Sequence, residues 1–289
     1  MINYNPKNWL ELIFSIKHGD TIKVLWKPMI YIGILTACVV TFEKTLFPHD
    51  NFKELYKVFQ LLGFVLSLLL LFRTNTAYDR WWEGRRLWGA IVNDSRNLAL
   101  KINALNIPLE DRIWYVNMIQ NFVISAKEHL RGNQSISELL ILSSEEKTYL
   151  AHQAHAPLGV MNLLRNKLIP NLNNEERLSM EQNLNGLIDS LGGCERIRNT
   201  PIPYSYSIFF KKFIFIFVII LPLGFAELFH YFSILLSVFF FYVLVSVELL
   251  AEEIEDPFGT DDNDLPLDAI CENIRNNCGQ ILLDPTQSA

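Results

Sequence analysis

A dense run of carboxylates follows the last apolar stretch of the sequence. Its members are Glu248, Glu252, Glu253, Glu255, Asp256, Asp261, Asp262 and Asp264. Carboxylate oxygens gathered around a Pro and Gly turn suit a hard cation such as Ca²⁺. The residue order of an EF-hand loop is missing, so the run does not match that motif. A solvated acidic loop, or carboxylates paired with Arg85 and Arg86, fits the sequence equally well.

Other residue types that perform chemistry are sparse. His152 and His155 stand three apart on an expected helix and offer a pair of zinc ligands, but no third histidine or cysteine lies near them in the sequence. The cysteines are scattered without a C-x-x-C pair: Cys38, Cys194, Cys271 and Cys278. Neither a disulfide framework nor a tetrahedral zinc site is indicated. Phosphate loops, nucleophile elbows and Ser-His-Asp arrangements are also missing.

Composition indicates a protein that resides partly in a membrane. Of the 289 residues, 50% are hydrophobic and 19% are charged, below the usual quarter for globular domains. The net charge of −6 argues against nucleic acid as a partner, because neutralising phosphates requires excess Lys and Arg. Residues 1–20 resemble an amphipathic helix, either at the protein surface or on the bilayer, more than a cleavable signal peptide.

Four apolar runs predict the membrane spans. They cover 28–47, 55–72, 213–226 and 228–247. A span needs about 20 mainly apolar residues, and the third run reaches that length if 201–210 extends it. Lys and Arg are concentrated before the first run and between the second and third. The positive-inside rule therefore predicts that both termini and the long middle region face the cytoplasm, with the chain in the cell membrane.

The elements around these runs are expected to be helical. No Pro or turn cluster separates the second run from the charged stretch that follows it, which predicts one helix that leaves the membrane and continues into water. Ser143 to Glu146 resembles a helix start, and 171–174 resembles a break. The expected segments are an N-terminal segment, two spans, a helical cytosolic region, two further spans, and an acidic loop with a C-terminal helix: 1–27, 28–72, 73–200, 201–250 and 251–289.

Phe64, Leu68 and Phe72 share one face of the second expected span, because they are spaced by four residues. Copies of this face around an axis would form a narrow apolar neck that gates by dewetting. Simple packing against neighbouring helices is the commoner outcome of such spacing. One helix per chain cannot enclose a pore, so the neck hypothesis also requires an oligomer with cyclic symmetry.

Three stretches of the sequence together resemble the bestrophin family of ion channels, particularly its bacterial and plant branch. They are Arg73-x-Asn75-x-x-Tyr78-Asp79-Arg80-Trp81-Trp82-Glu83-Gly84-Arg85, Cys194-Glu195-Arg196-Ile197-x-x-Thr200-Pro201-x-Pro203, and Glu253-Ile254-Glu255-Asp256-Pro257-Phe258-Gly259-x-Asp261-Asp262-Asn263-Asp264-Leu265-Pro266-Leu267. The similarity extends over essentially the whole chain, in the expected order relative to the four runs.

The resemblance implies an all-α homopentamer around one central pore, with four spans per chain whose helices continue into a large cytosolic region. Its partners would be other copies of the chain, membrane lipids and small inorganic ions. Placing the Arg-Trp-Trp stretches in register puts the family's apolar neck on Phe64, Leu68 and Phe72. A second, cytosolic constriction precedes the Cys-Glu-Arg stretch, at Leu178 with Gln182 close behind.

In animal bestrophins the acidic stretch forms a Ca²⁺ clasp, so the resemblance implies a site here although no cofactor is required for conduction. The side-chain ligands would be Glu253, Asp256, Asp261 and Asp264. Backbone carbonyls near Tyr4 or Asn5 would complete the set. Glu253 and Asp256 stand where animal members carry amides, so this site is more acidic than the family pattern.

The resemblance leaves selectivity open. Animal and plant members conduct anions, while bacterial members resemble monovalent cation channels. Phe64 and Phe72 can present positive ring edges to an anion, whereas the acidic balance of the cytosolic part favours cations such as sodium. Two other classes compete with a channel: a membrane-anchored metal-dependent hydrolase that uses residues 252–264, and a non-conducting membrane scaffold or sensor.

Overall fold

The structure is a computed structural model that describes residues 21–46, 54–133, 138–140 and 142–283, apart from the side chains of Leu46 and Glu227. Every regular element in this part of the chain is helical, which confirms the all-α class. The helices are α1 Ile22–Leu46, α2 Leu55–Asn103, α3 Leu109–Leu130, α4 Ser144–Ala151, α5 Ala156–Leu168, α6 Asn174–Asn199, α7 Tyr204–Phe229, α8 Phe232–Glu255 and α9 Leu267–Leu283. A short 3₁₀ turn, Ile169–Asn171, precedes α6.

Four of these helices are long and apolar enough to cross a membrane: Ile22–Thr45, Leu55–Asn103, Tyr204–Ala226 and Phe232–Glu255. The third of them begins at Tyr204, so residues upstream of the apolar run do lengthen it as expected. It also runs through Pro222 without ending. Between 17% and 39% of each apolar window is buried within the single chain, so most of these side chains remain available for lipid or another subunit.

The chain forms two compact units. Among the described residues, the first contains the chain up to Trp81, Pro201–Glu255 and Asp261–Asn263, and its core joins α2 to α7. Phe59 and Phe217 meet edge to face there, with ring centroids 6.2 Å apart. A Cβ on Gly224 would lie 2.5 Å from the Phe59 ring, so only glycine permits this approach of the two helices.

The second unit contains, among the described residues, Trp82–Thr200, Asp256–Thr260 and the chain from Asp264 to Leu283. Its core is built from fully buried side chains of α2 and α3, among them Trp88, Ile91 and Phe122. A Cβ on Gly84 would lie 3.1 Å from both Phe258 and Pro257. The Gly in the Trp-Trp-Glu-Gly stretch therefore lets the Pro-Phe-Gly turn pack directly on α2.

Local sequence signals fix several helix ends. Ser143 accepts a hydrogen bond from the Glu146 N–H, and the Glu146 carboxylate accepts one from the Ser143 N–H. Asn173 and Glu176 form the same capping box at the start of α6. Such reciprocal bonds satisfy backbone donors that a helix start leaves open. The expected helix start at Ser143 and the expected break at 171–174 are both confirmed.

The continuity of α2 is also confirmed. It runs for 49 residues from Leu55 to Asn103 without a proline. At 1.5 Å per residue such a helix is roughly 70 Å long, more than twice the hydrocarbon thickness of a bilayer. Its apolar first half and its charged second half are therefore parts of one rod.

A buried cation cluster joins α3 to α9 in the second unit. The Lys127 ammonium lies 2.8 Å from Asp268, 3.0 Å from Glu128 and 3.2 Å from Glu138. The Arg131 guanidinium also binds Asp268, with Nη2 2.8 Å from Oδ2. The hydrogen bonds from Arg131, and then those from Lys127, lower the pKa of Asp268 from 3.8 to about 2. Burial of the carboxylate acts in the opposite direction.

This cluster predicts acid-labile stability. The pKa of Asp268 is lower in the folded state than in the unfolded state, so its contribution is complete above about pH 4 and is lost as pH falls towards about 2. We expect Asp268→Asn to cost about 1 kcal/mol at pH 7, because the exposed carboxylate is partly screened. Thermal melts of both proteins between pH 7 and 2 measure this. An Asn variant with the full wild-type loss of stability below pH 4 would contradict the assignment.

Candidate functional site

The face of α2 that carries Phe64, Leu68 and Phe72 points away from the core of the first unit. These side chains are 62%, 39% and 59% exposed in the single chain. Phe59, Leu66 and Leu70 lie on the opposite side of the same helix, and they are buried. Among the residues that the structure describes, the predicted neck side chains thus stay outside the buried core of the first unit.

An apolar face of this kind has three possible environments: lipid, another subunit or a water-excluding pore. Charged residues are absent from the line between Phe64 and Phe72. A ring of such side chains repels water when the opening is narrow, and this closes an ion path without any moving plug. The face is therefore chemically suited to a gate.

The predicted cytosolic constriction lies on α6. Leu178 is 72% exposed, and Gln182 is exposed one turn further along the same face. The opposite face of α6 is buried through Met180, Leu184 and Leu187. The two predicted constriction side chains therefore lie on the exposed face of α6.

The three family-like stretches meet around Glu255 in the first unit. Arg73 Nη1 lies 2.7 Å from Glu255 Oε2. The backbone N–H of Ile202 donates to Glu255 Oε1 at 2.7 Å, and Arg80 Nε donates to the Glu255 carbonyl at 3.0 Å. Arg73 is 1% exposed, so this charge is held in a nonpolar setting and depends on its partner.

A second set of bonds extends this junction. Trp81 Nε1 donates to the Asn263 carbonyl at 3.0 Å, and Asn263 donates through its backbone and side-chain nitrogens to Glu253. These stretches thus tie together the middle of α2, the segment just before α7 and the end of α8. Sequence reasoning placed Glu255 in the acidic run but did not identify this role.

Comparison with known proteins identifies the family. The family of bacterial and fungal bestrophin proteins matches residues 1–280 of this chain. The chain belongs to the bestrophin family. The resemblance carried by the three stretches is confirmed, and with it a membrane protein of the channel class.

Several bestrophin relatives are similar along nearly the whole chain. A voltage-dependent anion channel-forming protein of Nostoc sp. is 36% identical over 287 residues, which cover 94% of this chain and 91% of the relative. The voltage-dependent anion channel-forming protein YneE of Escherichia coli (strain K12) is 30% identical over 281 residues, covering 95% and 91%.

A solved bestrophin structure has the same fold. The crystal structure of a bacterial bestrophin homologue from Klebsiella pneumoniae superposes with a TM-score of 0.79 at 28% identity, covering 88% of this chain and 97% of that chain. These relatives point to a channel and away from the hydrolase hypothesis. The hydrolase is further disfavoured because Glu252 pairs with Lys211 at 3.0 Å, Glu253 binds Asn263 and Glu255 binds Arg73.

The four predicted calcium ligands of this bestrophin are divided between the two units. Glu253 and Asp261 belong to the first, and Asp256 and Asp264 to the second. Asp256 and Asp261 are exposed, whereas Asp264 is buried. The donor set is entirely oxygen, which suits Ca²⁺ in chemistry. Tyr4 and Asn5 lie outside the described residues.

The histidine prediction needs correction. His152 ends α4 and His155 precedes α5, so the two do not share one helix. The third histidine that sequence reasoning did not find is His129: its Nε2 and that of His155 lie 2.9 Å and 2.6 Å from the same oxygen of Glu195. Burial, then the neighbouring His155, lowers the pKa of His129 below its ordinary value, although Glu195 acts in the opposite direction.

The buried thiols of the second unit are not nucleophiles. Burial raises the pKa of Cys194, Cys271 and Cys278 to about 12 in each case. A thiol with this pKa holds its proton at physiological pH, and the thiolate is the reactive form. These cysteines serve as small apolar core residues.

Proposed function

We propose that this bestrophin forms a homopentameric channel in the cell membrane and conducts small monovalent ions passively, with anions as the favoured class. Each chain contributes four spans, and its termini and second unit face the cytoplasm. The observation that carries the proposal is the outward apolar line of Phe64, Leu68 and Phe72, set opposite the buried face of α2. In a pentamer this line would surround the axis and form the gating neck.

The same symmetry gives α6 a role. Five copies of Leu178, with Gln182 one turn behind, would form the second constriction on the cytosolic side. Both side chains are exposed in the single chain, so they would be free to face a symmetry axis. The remaining exposed apolar side chains of the spans would contact lipid and neighbouring subunits.

The relatives' names favour anions, since those proteins are described as anion channel-forming. Ring edges of Phe64 and Phe72 carry positive partial charge and would meet an anion favourably in a dry neck. The net charge of −6 favours cations instead, because acidic vestibules concentrate cations. Monovalent cations such as sodium are therefore the alternative permeant class.

Two measurements test the channel. Mass determination in detergent should give five chains per particle, and a monomer or dimer would remove the proposal. The current through reconstituted protein in a tenfold NaCl gradient should reverse near the chloride equilibrium potential. That potential is about 59 mV in magnitude at full selectivity. A reversal of the opposite sign establishes the cation alternative, and absence of any current from a correctly sized particle supports the scaffold hypothesis.

We further propose that Ca²⁺ binds the acidic loop through Glu253, Asp256, Asp261 and Asp264, without being needed for conduction itself. The same vesicles test this if free Ca²⁺ is varied. Current from the wild type should change with Ca²⁺, and current from Asp261→Asn, whose side chain is exposed, should not. A wild-type current indifferent to Ca²⁺ would remove this site.

A further inference from the structure

The ends of three helices in the second unit bring together two histidines and a glutamate. His129 is in the last turn of α3, His155 is the residue just before α5, and Glu195 lies near the end of α6. The two imidazole rings are 4.3 Å apart, and their Nε2 atoms both face Glu195 Oε1. All three potential ligand atoms lie within 4.8 Å of one another.

We propose that His129, His155 and Glu195 form a binding site for a divalent transition metal of the zinc class. Two imidazoles and one carboxylate on one side of an ion, with the remaining positions open to water, are an established donor set for such metals. Ca²⁺ and Mg²⁺ prefer oxygen ligands throughout, so two nitrogens select against them. This site therefore differs from the acidic loop in both residues and metal.

The distances require only a small adjustment. Zinc bonds of 2.0–2.1 Å in a tetrahedral arrangement place neighbouring ligand atoms about 3.3 Å apart. The present separations from Glu195 Oε1 are 2.9 Å for His129 and 2.6 Å for His155. Moving Glu195 Oε1 away from the two nitrogens by about half an ångström would bring these two separations close to the tetrahedral spacing. All three side chains are partly exposed, so an ion has a route from solvent.

Protons and charges in the cluster set the conditions for binding. His155 Nδ1 accepts the Leu158 N–H at 3.3 Å, so the proton of the neutral ring sits on Nε2 and points at Glu195. A metal on Nε2 would require this proton to sit on Nδ1, and the Leu158 N–H would then lose its acceptor. Arg198, which donates to the His129 carbonyl, is a nearby positive charge that opposes the ion. Both effects weaken the site, and binding becomes tighter as pH rises because metal displaces protons.

A metal held here would link α3, α5 and α6. Glu195 comes from α6, whereas the histidines come from a helix end and a helix start elsewhere in the unit. Binding to the folded chain alone stabilises it by mass action. Raised thermal stability is therefore a second consequence of occupancy, and it does not depend on whether the protein conducts ions.

Calorimetric titration of Zn²⁺ into full-length, tag-free, metal-stripped protein tests the proposal. We expect one Zn²⁺ per chain and a higher melting temperature with Zn²⁺ present. His129→Ala should weaken Zn²⁺ binding by about 100-fold or more. Replacing even a residue that only hydrogen-bonds a metal ligand lowers metal affinity by ~10- to 100-fold. Glu195→Gln, which keeps a polar side chain of the same size, should weaken it at least about tenfold.

His152 supplies the matched control. It is exposed, stands three residues before His155 and lies outside the cluster, so His152→Ala should bind Zn²⁺ like the wild type. His129→Gln retains a donor towards Glu195 and replaces the Ala variant if that one fails to fold. The site would be overturned if the wild type failed to bind Zn²⁺ at millimolar concentration. It would also be overturned if His129→Gln bound Zn²⁺ as tightly as the wild type, or if His152→Ala lost as much affinity as His129→Ala.

Discussion

Replacing Phe64, Leu68 and Phe72 together by Ala should raise passive ion flux by about tenfold or more. Removing three large apolar side chains from every subunit widens the neck and lets water fill it, which lowers the dewetting barrier to ions. A tenfold increase corresponds to about 1.4 kcal/mol off the barrier. Chloride efflux from vesicles loaded with equal amounts of each protein measures the effect.

Helix α8 offers a control of the same composition. Phe232, Leu235 and Phe239 are also exposed apolar residues on a candidate span. Their triple Ala variant removes the same side chains from a membrane helix that the proposal does not place at the pore. Its flux should equal that of the wild type. Equal increases in both variants would mean general leakiness, and no increase in the α2 variant would remove the neck assignment.

Removing the Glu255 carboxylate should strongly destabilise the first unit. Glu255→Ala leaves the Arg73 guanidinium buried without its partner at 2.7 Å, and it removes the acceptor of the Ile202 N–H. Breaking a buried ion pair from one side costs roughly 3–5 kcal/mol, because the remaining charge keeps its desolvation penalty. We expect a large fall in the melting temperature and poor recovery of intact oligomer from detergent.

The same helix provides the comparison. Glu252 pairs with Lys211 at 3.0 Å, but both side chains are half-exposed. Glu252→Ala should therefore cost no more than about 1 kcal/mol. Replacing Arg73 and Glu255 together by Leu removes the charge with its partner and should recover much of the lost stability. Similar losses in the Glu252 and Glu255 variants would show that Arg73 does not rely on this pair.

The local order of residues was sufficient to predict the helical architecture. Apolar runs of the right length predicted the helices that could cross a membrane, and the lack of a Pro or turn cluster after the second run predicted that α2 continues beyond it. The Ser143 to Glu146 signal predicted where one helix begins, and the polar run 171–174 predicted a break. These features are encoded within one or two helical turns, so the sequence displays them directly. The three long stretches also sufficed to recognise the bestrophin family.

The partners of the charged and metal-binding side chains were decided only by the tertiary structure. Glu255 was one carboxylate among eight in sequence, and it became a junction because its side chain binds Arg73 and the Ile202 N–H, which are both distant in sequence. His155 had an apparent partner in His152, three residues away, but the helix breaks between them and its true neighbour Glu195 is 40 residues further on. Periodicity describes which face of a helix a residue occupies, whereas the identity of the residue opposite depends on how separate helices pack.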